Sequence, residues 1–411
     1  MKNFKKISIV TVAFLIISIL TFTGCSPSDS HRVSGVTVNE NGELVINYSD
    51  GSNKNLGNTE QNPSTSEEPS ATLATSTGLR SSVSVFCTFG EINTPNARYS
   101  AGSGVIFKLN KSKGSAFIIT NYHVIYDADR GISKDISVYL YGSEYNDWEI
   151  KATYVGGSIN YDIAVLYVEN SDLIKNSSVR AVDIANSDYV SVGQTAIAIG
   201  NAEGSGLSVS SGVVSVDSEY IDMLTPDNKT TASFRVMRID TAVNHGNSGG
   251  GLFNCNGELI GIVNAKIIDE NVENIGYAIP SALAVAVADN IIDNCFEKDC
   301  STLQRCLLGV TIVTTNSSAI YDEDRGLVSI VESVGVVEVS EGSIAYGAIQ
   351  ADDIIISATL NGVTKDITRQ FHIIDFMMNA RVGDTVQFTV LRGDDTVSVS
   401  FEITEDCVTS Y

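Results

Sequence analysis

Apolar and polar positions along the 411-residue chain change rhythm several times, and each rhythm predicts a different kind of segment. Lys2, Lys5 and Lys6 precede a largely apolar run at 7–22 that stops at Thr23-Gly24-Cys25. The run is shorter than the roughly 20 apolar residues of a membrane-spanning helix. A basic head, a short apolar body and a small-residue end make an export signal. Residues 26–79 are rich in Ser, Asn, Thr, Gly and Glu. Within them 36–38 and 43–48 alternate like strands around the turn signal Asn41-Gly42, and 50–77 reads as a flexible tether. From 81 to 279 short apolar runs recur at 103–109, 115–120, 136–141, 163–168, 195–200, 207–216, 233–239 and 258–265, broken by Gly, Asn, Asp and Ser. That spacing predicts an antiparallel barrel or sandwich. A helix follows Pro280 over 281–292, and 295–306 reads as a linker. Residues 307–407 mix strands at 309–313, 327–331, 353–358, 386–391 and 396–403 with helices predicted at 342–349 and 366–379, which makes an α+β module.

Composition narrows what these segments can do. Hydrophobic residues make up 43% of the chain and prolines number 6, so most of it can bury a core. A net charge of −23 repels phosphate backbones and argues against nucleic-acid binding. Beyond Cys25, six cysteines remain: Cys87, Cys255, Cys295, Cys300, Cys306 and Cys407. An even number in an exported chain predicts disulfides. Cys295, Cys300 and Cys306 cluster without a C-x-x-C pair or a nearby His, which argues against metal.

The sharpest chemical feature is Gly246-Asn247-Ser248-Gly249-Gly250. Glycines around a central Ser permit tight dihedrals that expose its hydroxyl and aim backbone N–H groups at one point. His123 stands just after an apolar run, in Thr120-Asn121-Tyr122-His123-Val124. Asp162 heads another, in Tyr161-Asp162-Ile163-Ala164-Val165-Leu166. An acid there needs a partner, and an imidazole N–H would serve. The pentapeptide also fits the G-x-S-x-G nucleophile elbow, but that arrangement needs a later His, and His372 lies in a separate block.

With His, Asp and Ser in that order, these three segments resemble the catalytic signatures of trypsin-like serine proteases, in particular the bacterial HtrA (Deg) type. Ile197-Ala198-Ile199-Gly200-Asn201, Asp240-Thr241-Ala242, Gly261-Ile262-Val263 and Gly276-Tyr277-Ala278-Ile279-Pro280 extend the likeness over roughly 80–290. The resemblance implies a mainly β fold, a chymotrypsin-like pair of six-stranded antiparallel β-barrels. Ser248 would be the nucleophile, His123 the base and Asp162 its orienting acid. The N–H groups of Gly246 and Ser248 would form the oxyanion hole. Ala242, six residues before Ser248, would lie at the base of the primary pocket and favour small or medium apolar residues. Ile262, Val263, Asn264 and Ala265 would offer a backbone edge to extended substrate. His245, beside the loop, points elsewhere. The stretch 210–231 reads as a short acidic loop. No cofactor or metal is implied.

The last block, from Leu307-Leu308-Gly309-Val310 through 343–355 to Arg392-Gly393, resembles a PDZ domain. That implies a peptide carboxylate held by the N–H groups of Leu308, Gly309 and Val310, beside the helix near 372–378. Ala351-Asp352 stands where such domains carry Gly-Asp, and 316–325 is an unusual insertion. Phe22-Thr23-Gly24-Cys25 resembles a bacterial lipobox, implying lipidation at Cys25 and an extracytoplasmic, membrane-anchored chain. The expected organisation is a signal at 1–24, an anchored β unit and linker at 25–79, a protease at 80–294, a linker at 295–306 and a PDZ domain at 307–411. Unfolded polypeptides and peptide C-termini are the expected partners, and a homotrimer is common in such proteins. The alternative is a peptide-binding chaperone on a protease fold with weak or no cleavage.

Overall fold

The computed structural model describes residues 33–38, 43–48, 51–58, 70–91, 94–143, 148–265, 275–323 and 325–410. The apolar run at 7–22, Cys25 and the Asn41-Gly42 turn lie outside the described residues. The chain divides into two units, Met1–Glu68 and Pro69–Tyr411. The first contains an antiparallel sheet of Val33–Val38, Glu43–Tyr48 and Asn53–Asn58.

The second unit is built on two closed six-stranded barrels. The first comprises β1 (Ser82–Phe89), β2 (Arg98–Asn110), β3 (Ser115–Thr120), β4 (Asp135–Leu140), β5 (Ile150–Ser158) and β6 (Ile163–Val168), closed in the order β5-β6-β3-β2-β1-β4. The second comprises β7 (Thr195–Gly200), β8 (Ser208–Leu224), β9 (Thr231–Ile239), β10 (Gly251–Phe253), β11 (Leu259–Asn264) and β12 (Gly276–Pro280), in the order β7-β8-β9-β12-β11-β10. Each barrel has its own apolar filling: Val83, Val85, Ile106 and Leu166 in the first, Ala196, Met237, Leu252 and Val263 in the second. A third cluster joins their outer faces through Val105, Ile119, Ile197, Phe253 and Leu283. Burying such side chains contributes about 1.5–3 kcal/mol each.

Several sequence expectations need correction here. The stretch expected as a tether ends in helix α1 (Ala71–Leu79), capped by the Ser70 hydroxyl accepting from the Leu73 N–H. It is buried at Ala74 and Gly78, where an added Cβ would lie 2.6 Å from Ile199 Cδ1. The presumed loop at 210–231 is mostly paired backbone, because β8 and β9 run together as far as Leu224 and Thr231. The four-residue helix α2 (Tyr122–Ile125) follows β3, and helix α3 (Ser281–Cys295) packs on β5, β6 and β11. Of the six cysteines expected to pair, Cys295 and Cys300 are bridged, whereas Cys87, Cys255, Cys306 and Cys407 are free thiols. Cys87 points into the first barrel, and burial pushes its thiol up to about 12.

In the C-terminal block β13 (Val310–Asp322), β14 (Leu327–Val339), β15 (Ile354–Leu360), β17 (Thr385–Arg392) and β18 (Asp395–Glu402) form one sheet. β16 (Val363–Asp366) pairs with β15, and helix α4 (Gln370–Met377) covers the core. The expected linker is divided: Cys295 closes α3, Ser301 and Leu303 bond to Gly157 of β5, and Gln304–Cys306 pairs with Val408–Ser410 in this block. The expected insertion contributes residues 316–322 to the outer half of the β13–β14 ribbon. The helix expected at 342–349 is a series of turns, with Gly342 (φ +78°) and Gly347 (φ +81°) in the left-handed region. The Gly-Asp place is one residue later than the sequence suggested. Asp352 takes the left-handed φ (+67°), and buried Asp353 receives Arg392 through two hydrogen bonds of 2.8 and 2.7 Å.

Candidate active site

The first barrel supplies an acid and an imidazole. β3 ends at Thr120, and the short helix α2 then turns His123 toward the start of β6. Asp162 stands just before β6 with φ +51°, a conformation that costs a non-glycine residue roughly 1–2 kcal/mol. The strain aims the carboxylate back at α2. Asp162 Oδ1 accepts the His123 backbone N–H at 2.9 Å, and Oδ2 lies 2.6 Å from His123 Nδ1. The Asn264 amide donates to the same Oδ2 at 2.8 Å, and the Asn121 amide donates to the Asp162 carbonyl at 2.8 Å. Asp162 is wholly buried, while the His123 side chain keeps 19% of its surface exposed. This places the imidazole proton on Nδ1 and leaves Nε2 as the acceptor, the tautomer a general base needs.

The second barrel supplies the hydroxyl. The segment 240–250 joins β9 to β10, and in its second half the peptides are held one by one. The Glu203 N–H donates to the His245 carbonyl at 2.8 Å, the Asn247 N–H to the Asn244 carbonyl at 3.1 Å, and the Gly250 N–H to the Asn247 carbonyl at 2.9 Å. Gly246 sits at φ +93°, where a Cβ would come within 2.1 Å of the Asn201 carbonyl oxygen. Gly249, at φ +83°, lies so close to Ser103 and Thr120 that a Cβ would meet their oxygens at 2.2 and 2.4 Å. The N–H groups of Gly246 and Ser248 donate to no acceptor among the described residues. These are the two donors expected to form the oxyanion hole.

Contacts across the cleft bring the two halves together. The Ala265 N–H donates to Ser248 Oγ at 3.1 Å, and its neighbour Asn264 holds Asp162. The Ser103 N–H donates to the Ser248 carbonyl at 2.8 Å from the strand that pairs with β3. His123 and Asp162 are thus joined directly, whereas Ser248 is tied to the same cleft through Ala265 and Ser103, and among the described residues no hydrogen bond links its hydroxyl to His123.

The residues expected to line the substrate site divide differently. Ala242 is exposed, its carbonyl accepting the Ser210 hydroxyl at 2.7 Å. Ile262 and Val263 are wholly buried, with their backbones spent pairing with β10 and β12, so they offer no edge. Asn264 faces inward to Asp162. Only Ala265 reaches the cleft, through its N–H. The His245 side chain is exposed and its carbonyl is already engaged. Sequence reasoning missed the parts played by Asn121, Asn264 and Ser103. The lone signal was a buried amide, Asn264, closing the apolar run Leu259–Asn264.

In the C-terminal block a cavity of about 310 Å³ is lined by Leu308, Gly309 and Val310 on one side and by Ile373, Ile374 and Met377 of α4 on the other. Gly309 is in the left-handed region at φ +71°.

Two closed barrels with an acid, an imidazole and a hydroxyl in their shared cleft define a trypsin-like serine peptidase, and the family described as "Trypsin-like peptidase domain" matches residues 102–262. The chain is 33% identical over 331 residues to the serine protease Do-like HtrA of Bacillus subtilis, covering 79% of this chain and 68% of that protein. It is 33% identical over 315 residues to the periplasmic pH-dependent serine endoprotease DegQ of Escherichia coli, covering 75% of this chain and 60% of that one. A solved structure of the HtrA-type protease AlgW with tripeptide superposes with a TM-score of 0.52 at 26% identity, covering 84% of this chain and 98% of that one. The chain belongs to the HtrA family of serine proteases.

Proposed function

We propose that this endopeptidase works by an acyl-enzyme mechanism with Ser248 as nucleophile, His123 as general base and then acid, and Asp162 as the group that orients and stabilises the imidazolium. Gly246 and Ser248 N–H groups receive the oxyanion. The observation that carries this reading is the buried Asp162 carboxylate, which takes both the backbone and the ring N–H of His123. Substrates are unfolded polypeptides outside the cytoplasm, cleaved after small or medium apolar residues. Ala242 supports this by placing no charge at the presumed pocket base, and relatives named periplasmic support the compartment. Residues 307–411 act as a PDZ domain for peptide C-termini, a reading supported by the cavity beside Gly309. Cys25 carries the lipid anchor, and the resemblance implies a homotrimer.

The test is digestion of casein by the purified chain and by Ser248→Ala. Loss of the nucleophile lowers turnover by at least about 10⁴-fold. Equal digestion by both proteins, or none by either, favours the peptide-binding alternative. N-terminal sequencing of the fragments reports the residue before each cut, and cleavage confined to Lys or Arg would refute the apolar pocket.

A further inference from the structure

We propose that Ser103, a residue outside the triad, positions the oxyanion hole and locks it to the strand that leads to His123; the proposal rests on the active-site reading above. Ser103 lies on β2 in the first barrel and is completely buried. All of its polar groups are spent on the catalytic surroundings. Its hydroxyl donates to the Gly246 carbonyl at 2.7 Å and accepts the Asn201 N–H at 2.7 Å. The Ser103 N–H donates to the Ser248 carbonyl at 2.8 Å, and the Ser103 carbonyl accepts the Thr120 hydroxyl at 2.7 Å. A carbonyl can only accept, so the hydroxyl proton must point at Gly246 and the lone pair at Asn201. One hydroxyl therefore bridges two segments of the second barrel from a strand of the first.

The two segments are those that set the hole. Gly246 contributes one donor through the 245–246 peptide, whose carbonyl is held by the Glu203 N–H. Glu203 sits in the turn Ala202–Gly204 at φ +56°, directly after Asn201. Ser103 thus fixes the 246–247 peptide directly and the 245–246 peptide through Asn201 and the turn. Asn201 is itself wholly buried, and its amide oxygen accepts the Gly206 N–H just beyond this turn at 2.8 Å. Without the hydroxyl, the Gly246 carbonyl and the buried Asn201 N–H lose their partners together, which frees both Gly246 and the turn after Asn201 that holds the His245 carbonyl. The 245–246 peptide, no longer held from either side, turns and misaims the Gly246 donor while leaving Ser248, His123 and Asp162 in place.

The experiment uses the full chain and its Ser103→Ala, Ser103→Cys and Ser103→Thr variants. Endpoint labelling with diisopropyl fluorophosphate counts competent sites, and fluorescein-casein hydrolysis gives kcat and KM per labelled site. Inhibition by a peptidyl boronic acid, which forms a tetrahedral adduct, reports the hole itself. Ser103→Ala labels fully but loses about 10²-fold in kcat, the size expected for one oxyanion donor. KM stays within about two-fold, boronate affinity weakens in parallel with kcat, and Ser103→Thr recovers most of both because it keeps the hydroxyl. Should Ser103→Ala not fold, Ser103→Cys is read in the same way. An unchanged kcat per labelled site, an unchanged boronate affinity, or a rise in KM alone overturns the proposal. Absence of labelling in the parent protein would instead overturn the assignment of Ser248.

Discussion

Asp162 holds a left-handed backbone at φ +51° inside a fully buried setting, and three donors converge on its carboxylate. Strain of this kind persists only where the surroundings over-determine it. Asn264 is the third donor, and it arrives from the opposite barrel, so the acid is clamped from both sides of the cleft. Replacing Asn264 with Leu removes a hydrogen bond to a charged group, a kind that contributes about 1.5–3 kcal/mol. The expected result is a fall in kcat of about 10- to 100-fold with casein binding preserved. An unchanged kcat would show that His123 alone suffices to hold the acid. His123, Asp162 and Ser248 stood out as candidates because each sits in a short signature with its own chemistry. Asn264 and Ser103 were not, because an amide ending a strand and a serine within one look the same whether or not a catalytic group lies opposite.

At the level of elements, β9 meets α4 through a buried charge cluster. The Arg235 guanidinium lies 2.5 Å from Asp375 and 3.3 Å from Asp188, and it stacks 3.3 Å over the Phe371 ring. Lys365 from β16 joins at Asp188, while Arg369 pairs with Asp217 on β8. Removing one member leaves buried charge uncompensated, which costs about 3–5 kcal/mol. Arg235→Met therefore lowers unfolding stability by about that amount, measured by denaturant titration. Combining it with Asp375→Asn recovers part of the loss, because the stranded carboxylate is gone. Strictly additive losses would rule out direct coupling between the two. Among the elements themselves, strands of the barrels were readable from their apolar runs. Helix α1 was not, since ATLATSTGL lacks an apolar period and is held by the Ser70 cap and by packing on the second barrel. The turns at 342–349 were expected as a helix because Ala345 and Ala348 favour one locally, while Gly342 and Gly347 adopt dihedrals that a helix excludes.

Across the whole molecule, the junction between the protease barrels and the C-terminal block contains two groups that respond oppositely to acid. Burial, reinforced by Lys365, Arg235 and Arg369, pushes His372 down to about 4 although Asp188 pulls the other way. Burial pushes Asp375 up to about 6, against the pull of Arg235. A neutral folded His372 adds stability above about pH 6.5, the ordinary value for an imidazole, and that contribution disappears as pH falls toward 4. Asp375 behaves in the opposite sense: its contribution is present below about pH 3.8 and is lost as pH rises through 6. In the parent protein these effects oppose each other between about pH 4 and 6. Relative to the parent, His372→Gln gains stability on acidification through this window, and Asp375→Asn loses it. Thermal melts at a series of pH values check both, and curves parallel to the parent's would refute the balance.

Local sequence determined the chemistry and most of the barrel strands: side-chain alternation is written residue by residue, and His123, Asp162 and Ser248 each carry an identifiable neighbourhood. Tertiary structure alone decided which generic groups serve them. Asn264 turning inward, Ser103 bridging Gly246 and Asn201, and Arg235 reaching Asp188 and Asp375 join positions between about 47 and 143 residues apart. Such contacts depend on barrel closure and on where backbone carbonyls and N–H groups arrive. Every residue but proline carries both groups, so no pattern of side chains announces them in advance.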